Sequence, residues 1–99
     1  MAKFGETTLE INLSALSHNF QYLKSKIASG TKFMAVVKAG GYGSDMVAIA
    51  QKLEALGADY LAVAYTKEGV ALREAGITLP ILVLHPQPIH FKSLIAHQL

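Results

Sequence analysis

The chain has 99 residues, 52% of them hydrophobic and only 16% charged, which excludes a disordered tail or a polyelectrolyte and fits a soluble, core-forming domain. Nine Lys and Arg against seven Asp and Glu leave a net charge of +2 with no long like-charge run, so nucleic acid is not an expected partner. Zero cysteines exclude disulfides and thiolate metal sites, and with no membrane-length apolar run and no signal-peptide pattern after Met1 the expected setting is cytoplasmic.

With glycine counted in place of tyrosine, the apolar share is roughly 56%, above the usual ~45–50%. A domain this short removes only about two-thirds of its extended-chain surface from water, so this much apolar content points to surface meant for more protein. Leu9-Glu10-Ile11-Asn12-Leu13 reads as a short strand. It leads into a helix from Ser14 to Ser29, with Leu16, Phe20, Leu23 and Ile27 at helical spacing, Asn12 able to cap it and Gly30 as a stop. Phe33-Met34-Ala35-Val36-Val37 is a continuous apolar run, the pattern of a strand buried on both faces. Ser44 or Asp45 then caps a helix through Leu56, ended by Gly57. Tyr60-Leu61-Ala62-Val63-Ala64 is strand-like, and Thr66 reads as the cap of a helix over Lys67 to Ala75 closed by Gly76. Ile81-Leu82-Val83-Leu84 forms the next strand, and after His85-Pro86-Gln87-Pro88 a last helical pattern carries Phe91, Leu94 and Ile95.

Four consecutive βα units repeat at about 25 residues each, the rhythm of a parallel α/β protein. A barrel of eight such units needs about 250 residues, so four units correspond to its first half. Residues 1–99 read as a single region with no internal boundary.

In such folds ligands meet the carboxyl ends of the strands. The chemically loaded end here is Val36-Val37-Lys38-Ala39-Gly40-Gly41-Tyr42-Gly43-Ser44-Asp45. An amine at the end of an apolar strand can react as the free base and form an imine with an aldehyde cofactor. The glycines allow close backbone approach, the following helix start is suited to phosphate, and Tyr42 adds a hydroxyl. Together these point to pyridoxal phosphate. From spacing alone, the block also reads as a surface lysine leaving a strand beside turn glycines. It lacks the Gly-Lys-Ser/Thr ending of a Walker A loop and the third glycine of a dinucleotide fingerprint.

Val37-Lys38-Ala39 followed by Tyr42-Gly43 resembles the pyridoxal-phosphate lysine signature of the alanine racemases, V-K-A-N-A-Y-G-H-G. The likeness runs from about Leu9 to Leu84 and includes Glu68-Gly69, Ala71-Leu72-Arg73, Ala75-Gly76-Ile77 and Pro80-Ile81-Leu82-Val83-Leu84. Its wording is nearest the subgroup fused behind the cell-wall ligase that adds D-alanyl-D-alanine to a muramyl tripeptide. The resemblance implies a (β/α)8 TIM-type barrel that interconverts L- and D-alanine for peptidoglycan precursors. It implies that Lys38 holds pyridoxal 5'-phosphate and acts as one of two catalytic bases, that Tyr42 contacts its phosphate, and that Val37 and Leu84 line the pocket near its ring. The family's second base comes from the C-terminal β-domain of a partner subunit. That implies a homodimer, and a β-domain absent from these residues leaves the 99-residue chain inactive alone. Gly40 and Gly41 stand where the signature has Asn-Ala, and Ser44-Asp45 where it has His-Gly, so a more flexible loop is expected, and the departures read as drift in a variable subgroup rather than as lost function.

Two alternatives accompany this expectation. One is a non-catalytic half-barrel that self-associates through uncovered strands. The other is a different pyridoxal enzyme on the same barrel, such as an amino-acid decarboxylase, against which the Tyr42-Gly43 pair counts. No metal is expected. His90 and His97 lack a third ligand, His18 reads as solvated, and His85 as bonded to the Pro-rich turn.

Overall fold

Apolar runs of three or four residues between amphipathic helices can pair only across the helices they flank, and the chain does so. The computed structural model describes residues 12–38 and 45–99. In chain order these form α1 (Leu13–Ser25), β1 (Met34–Val36), α2 (Met46–Leu56), β2 (Tyr60–Val63), α3 (Thr66–Glu74), β3 (Ile81–Val83), a 3-10 turn (Pro88–His90) and α4 (Phe91–Ala96). The three strands make one parallel sheet in the order β1-β2-β3, the α/β arrangement expected.

Most of the strand expected at Leu9–Leu13 lies outside the described residues, but its last two residues do not. Asn12 is the N-cap of α1, its Oδ1 accepting the Ala15 N–H at 2.9 Å, and Leu13 is already helical. The helix stops at Ser25 rather than Ser29. Lys26 N–H bonds to Leu23 and Ile27 N–H to Lys24, three residues back, so the last turn tightens before Gly30 is reached. Asp45 caps α2 through the Ala48 N–H at 3.1 Å, and Gly57 closes that helix with φ 98°, a left-handed angle that favours glycine.

Register sorts every strand residue onto one of two faces. Ala35, Leu61 and Ile81 lie side by side, as do Val63 and Val83. With Val37 they point to the helices and build the core with Phe20, Ala50, Leu53 and Leu72. Met34 pairs with Tyr60, and Val36 with Ala62 and Leu82, on the opposite face. There Met34, Val36 and Leu82 are 44%, 41% and 47% exposed. The expectation that 33–37 is buried on both sides is therefore corrected. The helices among the described residues cover one face, and the apolar run continues onto a face they leave open.

Loops are fastened by side chains that reach main-chain groups. Asp59 Oδ2 accepts the Phe33 N–H at 2.8 Å and lies 3.8 Å from Lys24 Nζ, locking the entry of β1 to that of β2. Arg73 donates to four carbonyls, those of Leu79 at 2.6 Å, His97 at 2.8 Å, and Ile77 and Gln98 at 3.0 Å. It thereby ties the end of α3, the approach to β3 and the end of α4 together. A lysine has neither the planar fork nor enough donors to repeat this. Arg73→Lys is expected to lower stability by about 1–3 kcal/mol in urea unfolding, with α4 losing amide-exchange protection first.

Glu54 Oε2 accepts the Thr78 N–H and the Thr78 hydroxyl, each at 2.8 Å, and the Leu79 N–H at 3.1 Å. The Thr78 backbone N–H above all holds its carboxyl below the ordinary 4.5, helped by the Thr78 hydroxyl, the Leu79 N–H and the Arg73 charge and opposed by burial. Because the folded value is the lower one, the stabilisation is full above pH 4.5 and fades as pH falls through the folded value. Glu54→Gln is expected to be less stable by about 1 kcal/mol at neutral pH, with the gap closing in acid denaturation curves.

Candidate functional site

The carboxyl ends of the strands carry the pairing beyond the strands themselves. Val37 N–H donates to Ala62, Leu84 N–H to Val63 and His85 N–H to Ala64, each at 2.8 Å. Continuing the register of β2 and β3 places Ala64 level with Leu84, on the open face with Leu82, and Lys38 follows directly on Val37 with a backbone that is already helical. Lys38 is half-buried and Leu84 is 41% exposed.

Val37 goes the other way. It is 2% exposed and belongs to the core beneath the sheet. The apolar groove beside β1 also counts Val37 in its lining. Tyr42 and the glycines beside it lie outside the described residues. At the helix start that follows, the N-cap carries a carboxylate of its own, Asp45, already bonded to the Ala48 N–H. An anion placed there would meet that charge.

Sequence reasoning missed Glu68. Thr66 was the expected cap of α3, but the N-cap is Tyr65, and Glu68 Oε1 reaches back to accept the Ala64 N–H at 2.9 Å and the Tyr65 N–H at 3.0 Å. This pins the end of β2. An acid three residues into a helix was the available signal. His85 stacks against Tyr65, ring centroids 5.9 Å apart. His18 is exposed, His90 ends the 3-10 turn, and His97 Nδ1 lies 2.9 Å from the Ser93 carbonyl, so the last two do not share one helix face. An apolar groove of about 320 Å³ runs between α1 and β1, lined by Leu16, Phe20 and Phe33 among others, and it carries no reactive group.

A parallel sheet with helices on one face and an open apolar face on the other is the repeating arrangement of a parallel α/β domain, consistent with part of a barrel. The family follows from comparison. Residues 11–99 match the model of the alanine racemase N-terminal domain, and the chain belongs to that family. It is 45% identical over 97 residues to alanine racemase 2 of Oceanobacillus iheyensis, covering 97% of this chain and 25% of that protein. It is 53% identical over 76 residues to an alanine racemase of a Nostoc species, covering 77% and 20%. The solved alanine racemase of Clostridium difficile 630 superposes with a TM-score of 0.87 at 42% identity, over 90% of this chain and 24% of that one. The chain thus spans about a quarter of the length of the relatives it matches.

Proposed function

We propose that these residues are the cofactor-holding opening of a pyridoxal-phosphate-dependent alanine racemase, with Lys38 as the residue that binds the cofactor covalently. The observation that supports this best is the position of one amine. Lys38 directly follows the buried end of β1, half-buried at the rim of a sheet whose open face carries Val36, Leu82 and Leu84. That donor set fits a planar aromatic aldehyde, because the amine is offered at the margin of an apolar surface.

When bound, pyridoxal phosphate acidifies the Cα–H of an amino acid by drawing its electron pair into the ring. Lys38 Nζ holds the cofactor and can then carry the Cα proton on one face of the substrate. Glu68, through the N–H groups of Ala64 and Tyr65, keeps the adjoining strand end fixed while this happens. Leu84 offers an apolar wall and keeps water off that side. Tyr42 is proposed as a phosphate contact on the strength of the signature alone, and attachment to a cell-wall ligase rests on wording alone. Alanine as substrate, a second subunit supplying the opposite base, and a cytoplasmic setting complete the proposal. Inversion needs a base on each face of Cα and Lys38 serves one, so the 99-residue chain is expected to racemise nothing by itself.

The test is spectroscopic. Adding pyridoxal phosphate to the purified chain is expected to raise an absorbance band near the visible edge that borohydride reduction fixes onto Lys38, and Lys38→Ala is expected to lose it. An equal band in the variant, or reduction onto another lysine, would contradict the assignment.

A further inference from the structure

One residue further along the chain from the row of Ala64 and Leu84 lies a second hollow. It measures about 280 Å³ and is walled by Tyr65, Thr66, Lys67, His85, Gln87 and His90. Tyr65 comes from the link between β2 and α3, Thr66 and Lys67 from the first turn of α3, His85 and Gln87 from the link after β3, and His90 from the 3-10 turn. The bonds from Leu84 to Val63 and from His85 to Ala64 hold the two links side by side. The Tyr65–His85 ring contact fixes one wall. At the small end of the range of ligand pockets, the space suits a small molecule or ion.

The lining and the helix start favour an anionic occupant, against the charge of Glu68 in the same first turn. Every lining residue carries a polar group and none is an acid. The Glu68 carboxylate has its Oε1 engaged by the Ala64 and Tyr65 N–H groups. Helix α3, nine residues long, starts at Thr66, so the Thr66 and Lys67 N–H groups lack intrahelical acceptors and carry partial positive charge, while the Glu68 N–H bonds to the Tyr65 carbonyl at 3.1 Å. Independently of the helix, Thr66 is only 4% exposed, and its Oγ1 is buried with no hydrogen-bond partner among the described residues. A buried hydroxyl without a partner is rare and destabilising unless something completes it. Threonine in a helix has two accessible χ1 wells, so this hydroxyl can turn to meet a ligand at the wall it belongs to.

We propose that this hollow binds a small oxyanion of the phosphate class. Thr66 Oγ1 and the N–H groups that open α3 act as donors, with Lys67, His85 and His90 supplying the surrounding positive and proton-donating groups. Its lining does not include Lys38, and it does not depend on the racemase assignment.

The experiment is an NMR titration of the 99-residue chain with inorganic phosphate, following the Thr66 and Lys67 amides and the His85 and His90 rings. Saturable shifts confined to these groups are expected. Thr66→Val, close in shape but lacking the hydroxyl, is expected to weaken binding by about tenfold, and Thr66→Ser to retain it. Lys67→Gln provides a second variant on an exposed position, expected to weaken binding several-fold whatever Thr66→Val does to folding. Pyridoxal phosphate added to Lys38→Ala separates the sources: the same shifts identify a phosphate monoester as the ligand, their absence the free ion. Shifts that fail to saturate, or equal affinity in the wild type, Thr66→Val and Lys67→Gln, would overturn the proposal.

Discussion

A strand in a parallel sheet must give alternate residues to opposite faces, and from that constraint the chemistry of this chain follows. Met34 and Val36 take one face while Ala35 and Val37 take the other, and Lys38 follows at the end of the strand. Had the register slipped by one residue, the amine would be driven among Leu53, Leu61 and Leu72 and a valine would occupy the rim. Burying a lysine in that core without a partner carries a heavy desolvation cost. The packing that stabilises the sheet therefore also fixes where β1 ends and Lys38 follows.

Around this sheet the chain uses charged side chains mainly to hold main-chain groups. Asp59, Glu54, Glu68 and Arg73 each bond to backbone atoms, three of them across gaps of more than twenty residues. Strands of three or four residues provide few ladder bonds, so their ends need outside support. The open face is different in kind. Apolar and half-exposed, it matches a surface that the larger relatives, four times this length, have the chain to cover.

Much of this arrangement was legible in the sequence because its signals are local. The strands at Tyr60 and Ile81, the caps at Asn12 and Asp45 and the stop at Gly57 each rest on a few adjacent residues, and the structure has them there. Lys38 was legible as the one reactive group after an apolar run. What misled depended on three dimensions. The run 33–37 is oily on both faces, but composition does not say which layers are present to cover it, so its open side was not foreseen. Thr66 has the chemistry of a cap, yet its hydroxyl is buried, and Glu68, with a longer reach, satisfies the N–H groups instead.

The alternation at the end of β1 can be read directly because the chain has no cysteine of its own. Single-cysteine variants at Val36, Val37 and Lys38 would each carry one thiol, whose rate of reaction with a water-soluble maleimide reports the face it occupies. Fast labelling at 36 and 38 and strong protection at 37 is the expected pattern. A thiol at 37 that reacts as fast as its neighbours would contradict the register and the buried end of β1 that Lys38 follows.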